Sequence, residues 1–181
     1  MDSNFAQSEV NATQQQSSIV GFRDFEWGTD QSSVESAIIT SDMQNGTDYN
    51  TGEESGYYGI QIINTEVAGY KTNAAYFFQN SQLSFGLYDL TVDDSNFQDL
   101  VAKYTDKYGS PAAQQESIGW GPCAVWVDSN KNFIVISGFL NNILYISSGC
   151  PYTDSLADML PEYHNINLQD LLEQSGNTTG V

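Results

Sequence analysis

Ala74–Leu90 reads AAYFFQNSQLSFGLYDL, two aromatic-rich runs separated by the short polar pair Asn80–Ser81. Two strand-like runs joined by two polar residues predict a β-hairpin. Because side chains alternate across a strand, the pattern places Leu83, Phe85 and Leu87 on one face of the second strand. A two-stranded hairpin is only marginally stable in water, so we expect these strands to lie in the middle of a larger sheet.

The chain as a whole, including this hairpin, is predicted to contain two copies of one arrangement of a helix and strands. Apolar stripes at helical spacing, preceded by residues that can cap a helix, predict helices at Thr29–Thr40 and Asn96–Tyr108. The helix starts are about 65 residues apart, which suggests an internal duplication. Beyond the hairpin, the predicted strands are Tyr57–Asn64, Gly119–Asp128, Asn132–Leu140 and Asn142–Ser148. We therefore predict an α+β fold: two α-β-β-β units, about residues 22–92 and 93–150, forming an antiparallel sheet with helices packed on one face.

Polar segments flank this domain on both sides. Residues 1–18 are rich in Gln and Ser and contain no apolar run, which predicts a disordered spacer. Residues 19–175 are predicted to form one domain, followed by a disordered tail at 176–181. Within the domain, Ser41–Gly56 has almost nothing to bury and is predicted to be a loop. Two short helices are expected late in the chain, at Asp154–Leu160 and Asn167–Gln174.

The charge balance disfavours two classes of partner. The chain has 23 acidic residues against 5 basic ones, a formal net charge of -18. Nucleic-acid binding needs Lys and Arg to neutralise phosphates, so we expect no nucleic-acid partner. Docking on anionic lipid headgroups needs the same basic residues. Solubility and self-repulsion are the simplest consequences of this charge.

The N-terminal composition favours export. The first residues have neither the basic nor the apolar region of a signal peptide, and no later apolar run approaches the ~20 residues that span a membrane. We expect the chain to begin just past a signal or lipid-anchor site, which predicts an extracytoplasmic domain. Contact with the membrane would then be only through an N-terminal anchor absent from this chain. A cytosolic protein with a polar tail is the alternative.

Three short motifs occur in a recognisable order along the chain. They are FRDFEWGT at 22–29, YFFQNSQL at 76–83 and FQDLVAKYTDKYGSP at 97–111. With Trp120 and the final strands, they cover about Phe22–Ser148. This order resembles secreted or lipid-anchored bacterial domains with the β-lactamase-inhibitor-protein-like architecture. The resemblance implies an envelope location and a mostly non-catalytic role. It implies no target, because no inhibitory loop of that family has a match in this chain.

Few residues have the chemistry of a catalytic or metal site. His164 is the single histidine and lies near Pro161, where we expect a solvated side chain. The acidic run Asp93–Asp99 lacks the alternating oxygen ligands, central glycine and closing glutamate of a calcium loop. Helix capping explains its residues more simply. We therefore predict no catalytic residue, no metal site and no cofactor.

The two cysteines, Cys123 and Cys150, leave two states open. An exported protein would favour a disulfide between them. A simple meander places them at opposite edges of the sheet, beyond the ~7 Å between Cα atoms that a bridge allows. Another strand order would bring them together. A reactive thiol is not expected, because no basic residue is adjacent to either one.

Aromatic residues on the predicted strands are the remaining functional signal. Two helices would not cover all of them, so we predict that some form a binding surface on the open face of the sheet, where aromatic rings stack on sugars or pack on proteins. The candidate binding residues are Tyr57, Tyr58, Tyr88, Trp126 and Tyr145. The alternative is that the late helices cover this face.

The sequence therefore favours a non-enzymatic, extracytoplasmic binding domain with a protein or glycan partner at the cell surface. One alternative is a carboxylate-based hydrolase, which requires two facing carboxylates in a pocket. Another is an inhibitor of a secreted enzyme, with Ser41–Gly56 as the protruding loop.

Overall fold

The computed structural model describes residues 17–40, 47–50, 57–117 and 119–177. Its strands are β1 (Gly21–Phe22), β2 (Phe25–Glu26), β3 (Thr47–Asn50), β4 (Tyr58–Val67), β5 (Tyr70–Gln79), β6 (Gln82–Asp89), β7 (Ala113–Gln115), β8 (Cys123–Val127), β9 (Phe133–Ser137) and β10 (Asn142–Ile146). Its helices are α1 (Gln31–Thr40), α2 (Phe97–Tyr108), α3 (Tyr152–His164) and α4 (Leu168–Asn177). The predicted α+β class is confirmed.

The large sheet has a symmetric strand order. Its eight described strands run β3-β4-β5-β6-β10-β9-β8-β7, and neighbouring strands are antiparallel. The last strands of the two units, β6 and β10, pair at the centre, where Leu87 is opposite Leu144. An approximate two-fold axis through that pair would exchange the units and make Tyr88 equivalent to Tyr145. The separate pair β1–β2 precedes the first helix.

Each unit has one strand more than predicted. In the first unit, β3 lies within the predicted loop Ser41–Gly56 and pairs with β4; in the second, β7 pairs with β8. Both are short polar strands at a sheet edge, where few apolar side chains are needed and hydrophobic periodicity gives no signal. The rest of that predicted loop, and residues 1–16 of the predicted spacer, lie outside the described residues.

Two late elements also extend beyond their predicted ends. Helix α3 continues past Leu160 and through Pro161 to His164. Helix α4 reaches Asn177, so residues 176 and 177 belong to this helix and not to the predicted tail, and residues 178–181 lie outside the described chain.

The predicted hairpin is confirmed, including its turn. Strand β5 ends at Gln79 and β6 begins at Gln82, and both turn residues are left-handed, with φ of 52° at Asn80 and 61° at Ser81. Positive φ at both central residues defines a type I′ turn, which matches the twist of the flanking strands.

The predicted side-chain alternation in β6 is wrong at Leu83. The register pairs Phe77 with Phe85 but Phe78 with Leu83, so Ser84 is an extra residue in a bulge. A bulge reverses the alternation. Leu83 therefore packs in the core beneath α1 and α2, whereas Phe85 packs on the opposite face.

Helices cover both faces of the sheet. The unit helices α1 and α2 pack together on one face, as predicted, and α2 buries the whole predicted stripe. That stripe is Phe97, Leu100, Val101, Tyr104 and Tyr108. Helices α3 and α4 pack on the reverse face through Leu156, Leu160 and Leu168. The expectation of an open reverse face is therefore wrong where these helices lie, and the alternative in which the late helices cover it is correct there.

The ring of Phe22 holds together the apolar core between the sheet and helices α1 and α2, which we call the first core. In the sheet, Gly86 is flanked by Tyr76 on β5 and Tyr145 on β10. Phe22 fills the space above Gly86, with its ring centroid 5.1 Å from those of Tyr76 and Tyr88 and 5.2 Å from that of Tyr145. A Cβ atom at position 86 would overlap the ring of Phe22. The N-terminal strand therefore docks on both units at once.

We predict that Gly86 and Phe22 are energetically coupled. Because the new methyl would overlap the ring, Gly86→Ala should lower the free energy of unfolding by about 1–3 kcal/mol. Phe22→Ala should lower it by about 3–5 kcal/mol. In the Phe22→Ala background the methyl has room, so Gly86→Ala should cost little there. Urea unfolding of the four proteins measures this coupling, and additive costs would contradict it.

Candidate functional site

The predicted aromatic binding surface is wrong, because its members do not lie together on an exposed face. Trp126 is 0% exposed, and its Nε1 donates a hydrogen bond to the Gly109 carbonyl at 2.8 Å. Tyr88 and Tyr145 are each 7% exposed and face α2, not the reverse side. Tyr57 is half-buried on the reverse face, and Tyr58 packs against the first core.

The structure brings Tyr88 and Tyr145 together with two tyrosines of α2. Tyr88, Tyr145 and Tyr108 line two adjoining hollows of about 510 and 330 Å³ between α2, the β4–β5 turn and the β1–β2 pair. Tyr104 lines the larger hollow, and its hydroxyl lies 2.6 Å from that of Tyr145. We call the joined hollows the tyrosine cleft. Its size lies within the range of small-ligand pockets in proteins.

Burial keeps the phenols of the tyrosine cleft protonated. It raises the pKa of Tyr104 and Tyr145 well above the usual value, since a buried phenolate would lose its hydration. Burial also raises the pKa of Tyr88, and it raises that of neighbouring Tyr76 to about 12. The Arg23 guanidinium opposes this effect on both rings. At neutral pH these hydroxyls can therefore act as hydrogen-bond donors.

A second grouping, of exposed aromatic rings, lies at one end of β9. Trp120 is 54% exposed, and its ring packs edge-on to Phe139 at 5.5 Å and Tyr163 at 5.2 Å. Phe139 and Tyr163 stack on each other with centroids 3.9 Å apart. We call these three rings the aromatic platform. It is built from the loop before β8, the β9–β10 turn and the last turn of α3.

Two glycines let the segments of the aromatic platform approach each other. A Cβ atom on Gly121 would lie 3.0 Å from the Gly138 Cα, and one on Gly138 would lie 2.8 Å from the Pro122 Cδ. The Gly138 N–H donates to the Pro122 carbonyl at 2.8 Å. Sequence reasoning missed the platform. The available signal was a tryptophan between two glycines, Gly119 and Gly121, both of which adopt positive φ.

The expectation that His164 is solvated is wrong. Its side chain is buried, and its Nε2 lies 2.8 Å from the Oγ of Ser137, which also accepts a hydrogen bond from the Leu140 N–H at 3.1 Å. The extension of α3 past Pro161 places the His164 ring in the second core, which lies between the sheet and helices α3 and α4. A serine–histidine pair can activate a nucleophile, but Ser137 is 0% exposed, so a substrate would not reach it. The pair instead joins the end of α3 to β9.

The cysteines are free, buried thiols. Cys123 is opposite Ser137, which is opposite Asn142 at the start of β10, whereas Cys150 follows the other end of that strand. They are therefore separated both across the sheet and along it. Burial raises the pKa of the Cys123 thiol, which makes it unreactive.

Acidic side chains do not assemble a metal site in the described chain. Within it, no three His, Cys, Asp or Glu residues are grouped as metal ligands would be. At the start of α2, Asp93 accepts hydrogen bonds from the backbone N–H and the hydroxyl of Ser95, and these bonds lower its pKa. Its role is therefore in the turn before the helix.

We predict that His164 makes stability depend on pH. Burial lowers its pKa below the usual 6.5, so the unfolded chain binds a proton there before the folded chain does. Stability from this group is present above pH 6.5 and falls as the pH drops below it. His164→Gln should weaken this pH dependence while preserving a polar group opposite Ser137. Urea midpoints between about pH 5 and 7.5 test this; equal slopes for both proteins would contradict it.

The chain matches no protein-family model, and no curated protein is significantly similar to it. Among the described residues, no helix is both long and apolar enough to cross a membrane.

Proposed function

We propose that this chain is a non-enzymatic, extracytoplasmic binding domain whose protein or glycan partner docks on the aromatic platform. The single observation that carries the proposal is the 54% exposure of Trp120 in a cluster whose other members hold it in place. Exposed aromatic rings that are clustered, rather than scattered singly, are typical of interaction surfaces.

The geometry of the aromatic platform suits recognition. Trp120 contacts Phe139 and Tyr163 edge-on, which leaves a face of its indole available. The close approach of Gly121 and Gly138 restricts the two loops that carry the platform, so binding orders few side chains. Preorganised aromatic rings dominate many protein interfaces and also stack on sugar rings.

The extracytoplasmic location rests on the polar, Gln- and Ser-rich composition of residues 1–18. The partner is proposed to be part of a cell surface for the same reason. The net charge of -18 opposes adsorption to anionic lipid or nucleic acid, which supports recognition by apolar contact.

We predict that Trp120→Ala weakens binding by about tenfold or more and leaves the fold intact, because the exposed ring contributes contact area and little core packing. Co-sedimentation with washed bacterial envelopes and with peptidoglycan sacculi measures the effect. Lys131→Gln is the control, because Lys131 is exposed and lies outside both the aromatic platform and the tyrosine cleft. Circular dichroism verifies that both variants fold.

Protease treatment of the envelopes separates the two kinds of partner. Binding that disappears identifies a protein, and binding that persists, or is seen on sacculi, identifies a glycan. If the unmodified protein does not sediment with either material, or if Trp120→Ala and Lys131→Gln bind equally well, the proposal is wrong.

A further inference from the structure

We propose that the tyrosine cleft is a second binding site and that it holds a small acidic sugar, one that carries a single carboxylate. The cleft shares no residue with the aromatic platform, so the inference does not rest on the proposed function.

Positive charge is concentrated at the tyrosine cleft. The whole chain has 5 basic residues. Three of them, Arg23, Lys103 and Lys107, line the tyrosine cleft. In a chain with 23 acidic residues, this concentration of cations lowers the repulsion that an anion would meet at the cleft.

The three cations have different roles. Lys103 is held in the wall, because its Nζ lies 2.9 Å from Asp99 and donates to the Ala68 carbonyl at 2.7 Å. Arg23 is fixed by a 2.7 Å hydrogen bond from its Nη1 to the Thr65 Oγ1. Lys107 is exposed, and within the described chain the structure gives its Nζ no ion pair, only the ring of Tyr108 with its centroid 5.2 Å away. Lys107 is therefore the cation that a ligand can recruit.

The tyrosine cleft also has an excess of hydrogen-bond donors. The hydroxyls of Tyr104 and Tyr145 contact each other at 2.6 Å, and that contact uses one of their two hydrogens. Within the described chain the structure gives the other hydrogen no acceptor, and both residues line the cleft, so this hydrogen is available to a ligand there. A carboxylate is an acceptor only, so it complements this hydroxyl together with the Lys107 ammonium.

The acidic residues of the tyrosine cleft restrict the rest of the ligand. Asp24, Glu26 and Glu66 also line the tyrosine cleft, and all three are exposed. These carboxylates accept hydrogen bonds from hydroxyl groups but repel further negative charge. A uronic acid has one carboxylate and several hydroxyls, whereas a phosphate dianion adds charge without the hydroxyls. The combined volume also exceeds what an inorganic ion fills.

Isothermal titration of the full chain tests the site with three probes: glucuronate, glucose and inorganic phosphate. We expect glucuronate to bind at least about tenfold more tightly than either of the others, because only glucuronate satisfies both the cations and the rim carboxylates. Lys107→Gln should weaken glucuronate binding by about tenfold through loss of one charge-assisted hydrogen bond. Lys131→Gln, at an exposed lysine outside the cleft, is the matched control and should change it less than about twofold.

The outcomes are decisive. No heat of binding with glucuronate at tens of millimolar, or equal affinities for glucuronate and glucose, would overturn the proposal. So would phosphate binding as tight as that of glucuronate, or equal losses from Lys107→Gln and Lys131→Gln. Trp120→Ala should leave glucuronate affinity unchanged, which separates this site from the aromatic platform.

Discussion

The core between the sheet and helices α1 and α2 depends on one contact, that of the Phe22 ring with Gly86. Gly86 leaves a gap in a row of tyrosines that crosses the centre of the sheet, and Phe22 fills it. Tyr76 and Tyr88 belong to the first unit and Tyr145 to the second, so one ring contacts both. The same contact positions the β1–β2 pair, whose turn carries Arg23 to the tyrosine cleft. The contact between Phe22 and Gly86 therefore determines both the packing of this core and the position of Arg23 at the candidate ligand site.

Local sequence patterns predicted the hairpin turn and helix α2, because short stretches of sequence specify both. The turn at Asn80 and Ser81 followed from two polar residues between aromatic runs, and the buried stripe of α2 followed from helical spacing. Strands β3 and β7 gave no such signal, because polar edge strands bury little. The bulge at Ser84 depends on how β5 and β6 pair, which one strand's sequence does not contain.

The functional residues were harder to predict, for a related reason. Alternation places Tyr88, Trp126 and Tyr145 on strands but does not say which face a helix covers. The burial of His164 follows from a helix that continues through Pro161, where sequence rules expect a stop. The aromatic platform joins three segments distant in sequence, and only the close approach of Gly121 and Gly138 makes them neighbours. Contacts of this kind are properties of the folded chain.

The symmetric strand order has a consequence for how such a chain can arise. Strand β6 is the last strand of the first unit, and from Phe85 to Asp89 the edge that faces away from β5 pairs with β10 of the second unit. An isolated first unit would leave that edge unpaired, and the antiparallel register centred on Leu87 is one that two identical strands can also form. A half-length ancestor would therefore have been completed by association with itself, and fusion of two copies would make that association permanent. Divergence after such a fusion would account for Gly86 on one side of the axis and an isoleucine, Ile143, at the equivalent place on the other.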